Sequence, residues 1–346
     1  MALNNLFNLF SGGDKKKPKR TKSTSKKEKT IVQEKVEPEE EVDEGPPWWE
    51  KELNPVQEDV KFTGINNEEL FIELESNIKM GNFNLIEIPD TVMRIVRLLN
   101  SSDFDYSEVE DLINRSGGLA GEVVKLANSS QYSRGRKVTR IRDALTRLGP
   151  KKVNAILYLH SSKSSLSENQ NFNKMIKDIM DHSYAVAQIA NYLSLRYYPD
   201  PDAAFLAGLL HDIGKLALLK ELQDRFNIPD INVDLTESSF GDIIPNLHEM
   251  AGRFIAKSWH MPDDIVTCIA NHHSPEQVRM VNDEDTDQVK HLTYLIQMSD
   301  IIARLLGHGR PLGSIDIFGI PASVQLGLYN EDTTIQFLKD LPKALK

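Results

Sequence analysis

The sequence predicts an all-α fold, and three observations carry that reading. Beyond residue 66 the apolar residues recur at helical spacing, capping residues precede several of these runs, and strand-type alternation is scarce throughout. At 346 residues and 40% hydrophobic content, the chain can bury a substantial core.

The chain opens on a segment with a different character. From about Ser11 to Asp59 there is no sustained apolar periodicity, only charge blocks and prolines. Lys15-Lys16-Lys17-Pro18-Lys19-Arg20, Lys22, Lys26-Lys27 and Lys29 form a basic block, and Glu34, Glu37, Glu39-Glu40-Glu41 and Asp43-Glu44 an acidic one. Such a segment cannot offset its own ordering entropy and reads as a disordered arm over residues 1–60. Two apolar islands interrupt it. Leu3, Leu6, Phe7, Leu9 and Phe10 share one helical face ahead of the basic block. That pattern suits weak, reversible docking of residues 1–30 on an anionic membrane surface or a partner, against the plainer reading of a frayed terminus. Trp48-Trp49 reads as an exposed aromatic pair.

Helices then follow in order. Asn67 to Leu74 gives a short first one, and Pro89 stands at the start of a second, in which Val92, Ile95, Val96 and Leu99 align. Ser107 is the expected N-cap of a third, with Val109, Leu112 and Ile113 inward. Leu119, Val123, Val124, Leu126 and Ala127 mark a fourth that ends at Asn128, and Ile141–Leu148 and Val153–Leu159 form a pair. Phe172 to Tyr198 is one long helix with Met175, Ile179, His182, Val186, Ile189 and Leu193 on a single face. Asp200-Pro201 supplies a cap and a first-turn proline for a helix expected to run on through His211, Asp212 and Lys215. After a looser stretch from Asn227 to Asp242, Pro245 opens a helix bearing His248, and Pro262 opens another leading to His272 and His273. Leu292, Ile296, Asp300 and Ala303 align on a final core helix.

Composition narrows the functional classes. The net charge of −10, from 41 Lys and Arg against 51 Asp and Glu, argues against a nucleic-acid-coating surface, and no sequence-specific nucleic-acid partner is expected. A single cysteine, Cys268, excludes an internal disulfide and suits a reducing compartment. No run approaches the ~20 apolar residues needed to span a bilayer. The start Met1-Ala2-Leu3-Asn4-Asn5 lacks the basic head and apolar body of a signal peptide, so a cytoplasmic location is expected.

The chemistry concentrates where ionisable residues interrupt core faces. Ala204 to Lys215 is apolar except for His211-Asp212 and Lys215, and a neighbouring imidazole and carboxylate can share a metal ion. An isolated His-Asp pair is more often a satisfied core pair. Here, however, His182, His211, Asp212, His248, His272, His273 and Asp300 recur along five successive core helices. Burying each separately would demand a separate partner for each, whereas one metal centre satisfies them together. Such ligands suit one or two divalent ions of Fe, Mn, Zn or Mg. Lys215, one turn beyond His211, can hold an anion.

The run Gly208-Leu209-Leu210-His211-Asp212-Ile213-Gly214-Lys215, with His182-Ser183 before it and His248-Glu249-Met250-Ala251-Gly252, Trp259-His260-Met261-Pro262 and His272-His273 after it, resembles the HD superfamily of metal-dependent phosphohydrolases. Within that superfamily it is most similar to the HDOD domain of bacterial signalling proteins. Ile88-Pro89, Leu126-Ala127-Asn128-Ser129 and Ala144-Leu145-Thr146-Arg147-Leu148-Gly149 carry that likeness. The resemblance covers about residues 85–307 and implies a two-lobed helical bundle of HD-superfamily type. Its lobes would be 61–165 and a metal-site lobe 166–310, followed by a helical extension 311–346. Two departures stand out. The related HD-GYP phosphodiesterases, which cleave cyclic di-GMP, carry Gly-Tyr-Pro after the His-His pair, where this chain has Ser274-Pro275-Glu276-Gln277. The family's Asp-Pro pair is replaced by Arg115-Ser116-Gly117-Gly118.

The resemblance implies a signal-transduction output module with a metal or nucleotide pocket, acting on a signalling protein partner. The competing expectation is a metal-dependent phosphohydrolase acting on a cyclic nucleotide or another phosphate ester. In that reading His182, His211, Asp212 and Asp300 hold one ion, His248, His272 and His273 a second, and Lys215 clamps a phosphate, with Asp212 and Lys215 catalytic. Because the arm lacks apolar content, the sequence further leads one to expect that removing residues 1–60 leaves the melting transition unchanged, as calorimetry of the truncated protein would measure.

Overall fold

The computed structural model describes residues 47–50, 66–84, 86–102, 105–133, 135–166, 170–225, 237–313 and 315–345. The 1–30 docking segment, the charge blocks and most of the looser stretch before Asp242 lie outside them. Among the described residues there is no β-strand, and no helix is long and apolar enough to cross a membrane.

The first six helices build the N-terminal half. Helix α1 (Asn67–Met80) starts where the Asn66 side chain accepts a hydrogen bond from the Glu69 amide, and it runs six residues beyond the predicted Leu74. Helix α2 (Asp90–Leu99) begins directly after Pro89 and buries Val92, Ile95, Val96 and Leu99. Helix α3 (Tyr106–Asn114) corrects the sequence reading at its cap. Asp105 accepts from the Ser107 amide, while the predicted cap, Ser107, uses its hydroxyl to accept from Arg142. Helix α4 (Gly117–Ala127) is capped by Ser116, followed by α5 (Ile141–Leu148) and α6 (Pro150–Ser164).

The second half holds α7 (Gln170–Tyr197), α8 (Pro201–Leu210), α9 (Ile213–Arg225), α10 (Ile243–Ser258), α11 (Asp263–Asn271) and α12 (Asp283–Leu305). Two further helices, α13 (Pro321–Leu326) and α14 (Asp332–Ala344), complete the chain. Gly45–Lys346 forms one compact unit around a single continuous hydrophobic core. Trp259 ties its two halves, since its indole stacks on Tyr158 of α6 at 5.2 Å and donates to the Ile86 carbonyl.

The helix expected to run through Lys215 is broken. Helix α8 packs chiefly on α7, whereas α9 packs chiefly on α10, so the chain changes direction at His211-Asp212. Gly214 permits the close packing of α9 on α10, because a Cβ there would sit 1.9 Å from the His248 carbonyl oxygen.

Trp48-Trp49 is the third correction. The pair forms a short 3-10 turn in which Trp49 is only 7% exposed, not a solvent-facing island. Trp48 donates its indole N–H to the Leu338 carbonyl of α14 at 3.1 Å, and Trp49 meets Phe318 edge-on. The seat is built by α14 and the segment before α13, far along the sequence, where local periodicity carries no information about it. The fold therefore takes in part of the predicted arm, and the truncation boundary moves accordingly. Trp49→Ala is expected to cost about 3 kcal/mol, and Gly214→Ala a comparable amount through overpacking, both read as denaturant midpoints of the full chain.

Candidate metal centre

Five structural pieces converge on one buried centre: α7 with His182, the α8–α9 turn with His211 and Asp212, α10 with His248, the end of α11 with His272 and His273, and α12 with Asp300. His182, His211, Asp212, His248, His272 and Asp300 are all buried, and only His273 is exposed. All seven sequence candidates come together. They do so partly from helix ends, since His211-Asp212 and His272-His273 lie just past the helices that were expected to carry them.

Each buried imidazole is aimed by a backbone carbonyl. His211 Nδ1 lies 2.8 Å from the Gly208 carbonyl, His248 Nδ1 3.1 Å from that of Ile244, His272 Nδ1 2.9 Å from that of Ile269, and His182 Nδ1 3.0 Å from that of His308. A carbonyl only accepts, so in all four rings Nδ1 carries the hydrogen, which leaves the Nε2 lone pair of the neutral ring facing inward. Gly309 guards the last of these contacts. Its φ is +101°, and a Cβ there would lie 2.7 Å from His182 Nδ1.

The inward atoms crowd one another. His248 Nε2 lies 3.2 Å from His272 Nε2 and 3.1 Å from His273 Nε2. His182 Nε2 lies 3.0 Å from Asp300 Oδ1, and His211 Nε2 3.3 Å from Asp212 Oδ2. Asp212 Oδ1 is buried without a hydrogen-bond donor, 3.6 Å from His248 Nε2 and 3.7 Å from His272 Nε2. Lone pairs and carboxylate oxygens at such separations repel unless a proton or a cation sits among them. The donor set therefore fits a metal ion. Three groupings have ligand atoms within 4.8 Å of one another: His248, His272 and His273; His182, His211 and Asp300; and His211, Asp212 and His272.

Electrostatics follow the same arrangement. Burial opposes charge on Asp212, but His211 and Lys215 outweigh it and hold its carboxyl well below the usual range. Burial likewise pulls His211 down, and Asp212 outweighs it, so that His211 stays above its ordinary value. At His248 burial prevails over the same carboxylate and pushes the ring down to about 3. Burial takes His272 well below its ordinary value too, helped by the neighbouring imidazoles.

Lys215 faces the centre, with Nζ 2.9 Å from Asp212 Oδ2 and 2.9 Å from Glu237 Oε1. Burial lowers its affinity for the proton, yet the two carboxylates more than compensate and keep the ammonium charged. Glu237 was not identified from the sequence. It opens a short 3-10 turn, Glu237–Phe240, in a stretch of sequence where no periodicity marks an inward residue. Two other supporting groups also escaped sequence reasoning. Glu249 accepts the His273 amide at 2.9 Å, and the Arg304 guanidinium lies 3.5 Å from Asp300 Oδ2. Arg304 is four residues from Asp300 on α12, a spacing that could have marked it.

Residues 85–275 match the family described as the HDOD domain. An uncharacterized protein of Treponema pallidum (strain Nichols) is 24% identical over a 202-residue alignment that covers 54% of this chain and 37% of that protein. The chain thus matches little more than a third of that relative's length. A solved structure from Shewanella amazonensis SB2B, assigned as a metal-dependent phosphohydrolase, superposes with a TM-score of 0.59 at 19% identity, covering 81% of this chain and 99% of that one. An HDOD domain protein of unknown function from Geobacter sulfurreducens gives 0.52 at 23% identity, with 80% and 99% covered. A protein assigned to signal transduction from Marinobacter aquaeolei VT8 gives 0.51 at 21%, with 80% and 62% covered. At these identities the likeness to the solved structures is one of fold.

The depressed imidazoles set a pH dependence. His248 and His272 stay neutral in the folded protein, so below the ordinary histidine value of 6.5 the unfolded chain binds more protons than the folded one. Asp212 and Asp300, held low in the fold, add stability that is likewise lost on acidification, whereas His211 works in the opposite sense. Urea midpoints of metal-free protein are expected to fall as pH drops from 6.5 toward 3, and replacing both His248 and His272 with glutamine should flatten that slope.

Proposed function

The chain belongs to the HDOD family, and on that premise we propose that it is a bacterial signal-transduction module whose buried centre holds a divalent metal while its helical surface engages a signalling partner. The observation that carries the metal is the common orientation of four imidazoles, each with Nδ1 on a backbone carbonyl and Nε2 turned toward a carboxylate, with His248 and His272 facing Asp212 Oδ1, which lacks a donor. The imidazole-rich set suits Fe, Zn or Mn better than Mg, which prefers oxygen ligands. His182, His211, Asp212 and Asp300 would hold one ion, and His248, His272 and His273 a second where two are bound.

Two features favour a regulatory role for this centre over turnover. Six of the seven ligand side chains are buried, which leaves the exposed His273 as the edge a solvent molecule or substrate would meet first. Lys215, the residue suited to clamp a phosphate, already lies between Asp212 and Glu237, so binding an anion would require displacing a carboxylate. The second reading, a metal-dependent phosphohydrolase acting on a cyclic nucleotide or other phosphate ester, is supported by the full donor set and by Lys215 facing inward. A bound metal would there supply an activated water and a Lewis acid. Lys215 would orient the phosphate, and Asp212 would hold both the metal and the Lys215 ammonium.

Purified protein is expected to carry near-stoichiometric metal by elemental analysis, to lose melting temperature on chelation, and to lose the metal in Asp212→Ala. A screen of phosphate esters and cyclic dinucleotides should yield no turnover. Turnover that disappears in Lys215→Ala while metal content persists would establish the phosphohydrolase reading instead.

A further inference from the structure

The Leu126-Ala127-Asn128-Ser129 motif has no part in the metal centre, yet the structure gives it a defined task. The Asn128 amide donates to the Val138 carbonyl at 2.7 Å, and its oxygen accepts the Val138 amide at 2.8 Å. Arg147 of α5 reaches the same connection, donating to the Ala127 carbonyl at 3.0 Å and the Arg136 carbonyl at 2.9 Å. Val138 itself is buried, at 4% exposure. The described part of the connection between α4 and α5 is thus held at its backbone and anchored by Val138 and by Tyr132, which meets Phe205 edge-on.

What the connection displays is positive charge. Residues 134–140 hold four Lys or Arg and no acid, in a chain whose net charge is −10. Arg136, Lys137 and Arg140 are exposed, and among the described residues none of the three pairs with a carboxylate. Pinning like charges side by side stores repulsion that an anionic ligand relieves, and a fixed backbone spares that ligand the cost of ordering the loop.

We propose that this loop is a docking surface for an acidic segment of a partner protein. The surroundings favour a short acidic peptide over nucleic acid. Arg142 is hooked to Ser107 of α3, and Glu108, Glu110 and Asp111 follow on that helix. A long polyphosphate leaving the loop in that direction meets like charge, whereas a short segment needs only the loop. The inference rests on the partner-binding function proposed above and names its surface.

The test uses the full chain and two labelled probes, a decaglutamate peptide and an oligothymidylate of equal charge, with binding read by fluorescence anisotropy. Arg136→Glu/Lys137→Glu/Arg140→Glu should weaken the peptide by about tenfold or more, and raising salt from about 50 to about 300 mM should do the same to wild type. Arg253→Glu/Lys257→Glu, a reversal of exposed charges on α10, should leave affinity unchanged. Asn128→Ala, which keeps all three cations but frees the loop, should weaken binding several-fold. Melting temperature and metal content are read on the same samples, so a failed metal centre registers separately from a failed surface. Equal peptide affinity in the triple variant and wild type overturns the proposal, as does an equal loss in the α10 control. Tighter binding of the oligothymidylate than the peptide would assign the surface to nucleic acid instead, and undiminished affinity in Asn128→Ala would remove the role of the pin.

Discussion

Burial of charge governs this structure. Two carboxylates and four imidazoles sit at 5% exposure or less within one centre, and each ion taken from water costs several kcal/mol unless its neighbours compensate. The compensation is divided between backbone and side chains. Carbonyls at Gly208, Ile244, Ile269 and His308 take the Nδ1 hydrogens, which leaves the opposite ring edges to face Asp212, Asp300 and one another. Helix ends supply four of the seven groups, because past a terminus the chain is free to turn a side chain away from the helical direction, while His182, His248 and Asp300 project from within α7, α10 and α12. This accounts for His211-Asp212 lying in a break and His272-His273 past the last turn of α11.

The same constraint explains where glycine is required. Helices α9 and α10 approach until the Gly214 Cα rests against the His248 carbonyl, a separation no side chain permits. The segment after α12 folds back with a left-handed glycine, Gly309, against the His182 ring, and so presents the His308 carbonyl to Nδ1. Neither glycine touches the proposed metal. Both set how closely the elements bearing its ligands can approach.

Most of the helices were legible because their causes are local. Pro89, Asp200-Pro201 and the apolar spacing on α2 and α7 write their instructions within a few residues. The convergence of His and Asp was legible for a different reason: ionisable residues on apolar faces need a common explanation. What escaped depends on contacts between distant parts of the chain. Glu237 is inward because Lys215 draws it there, Trp49 is buried because Phe318 and α14 cover it, and the turn at Asp212 exists because α8 and α9 have different packing partners. At the start of α3, Asp105 and Ser107 are both plausible caps, and the Ser107 hydroxyl is occupied by Arg142 from α5.

The seating of Trp48 on Leu338 has a mechanical consequence. The chain enters the fold at a turn bonded to its last helix, so a pull applied between residue 47 and the C-terminal end loads the indole hydrogen bond and the aromatic contacts behind it first. Helix α14 is in turn held on α7, which bears His182, since Phe337 stacks on Tyr192 at 4.5 Å and its carbonyl accepts from the Tyr192 hydroxyl at 3.1 Å. Tension between these two points would thus meet the Trp48-Trp49 clasp and the α14–α7 stack ahead of the His/Asp centre.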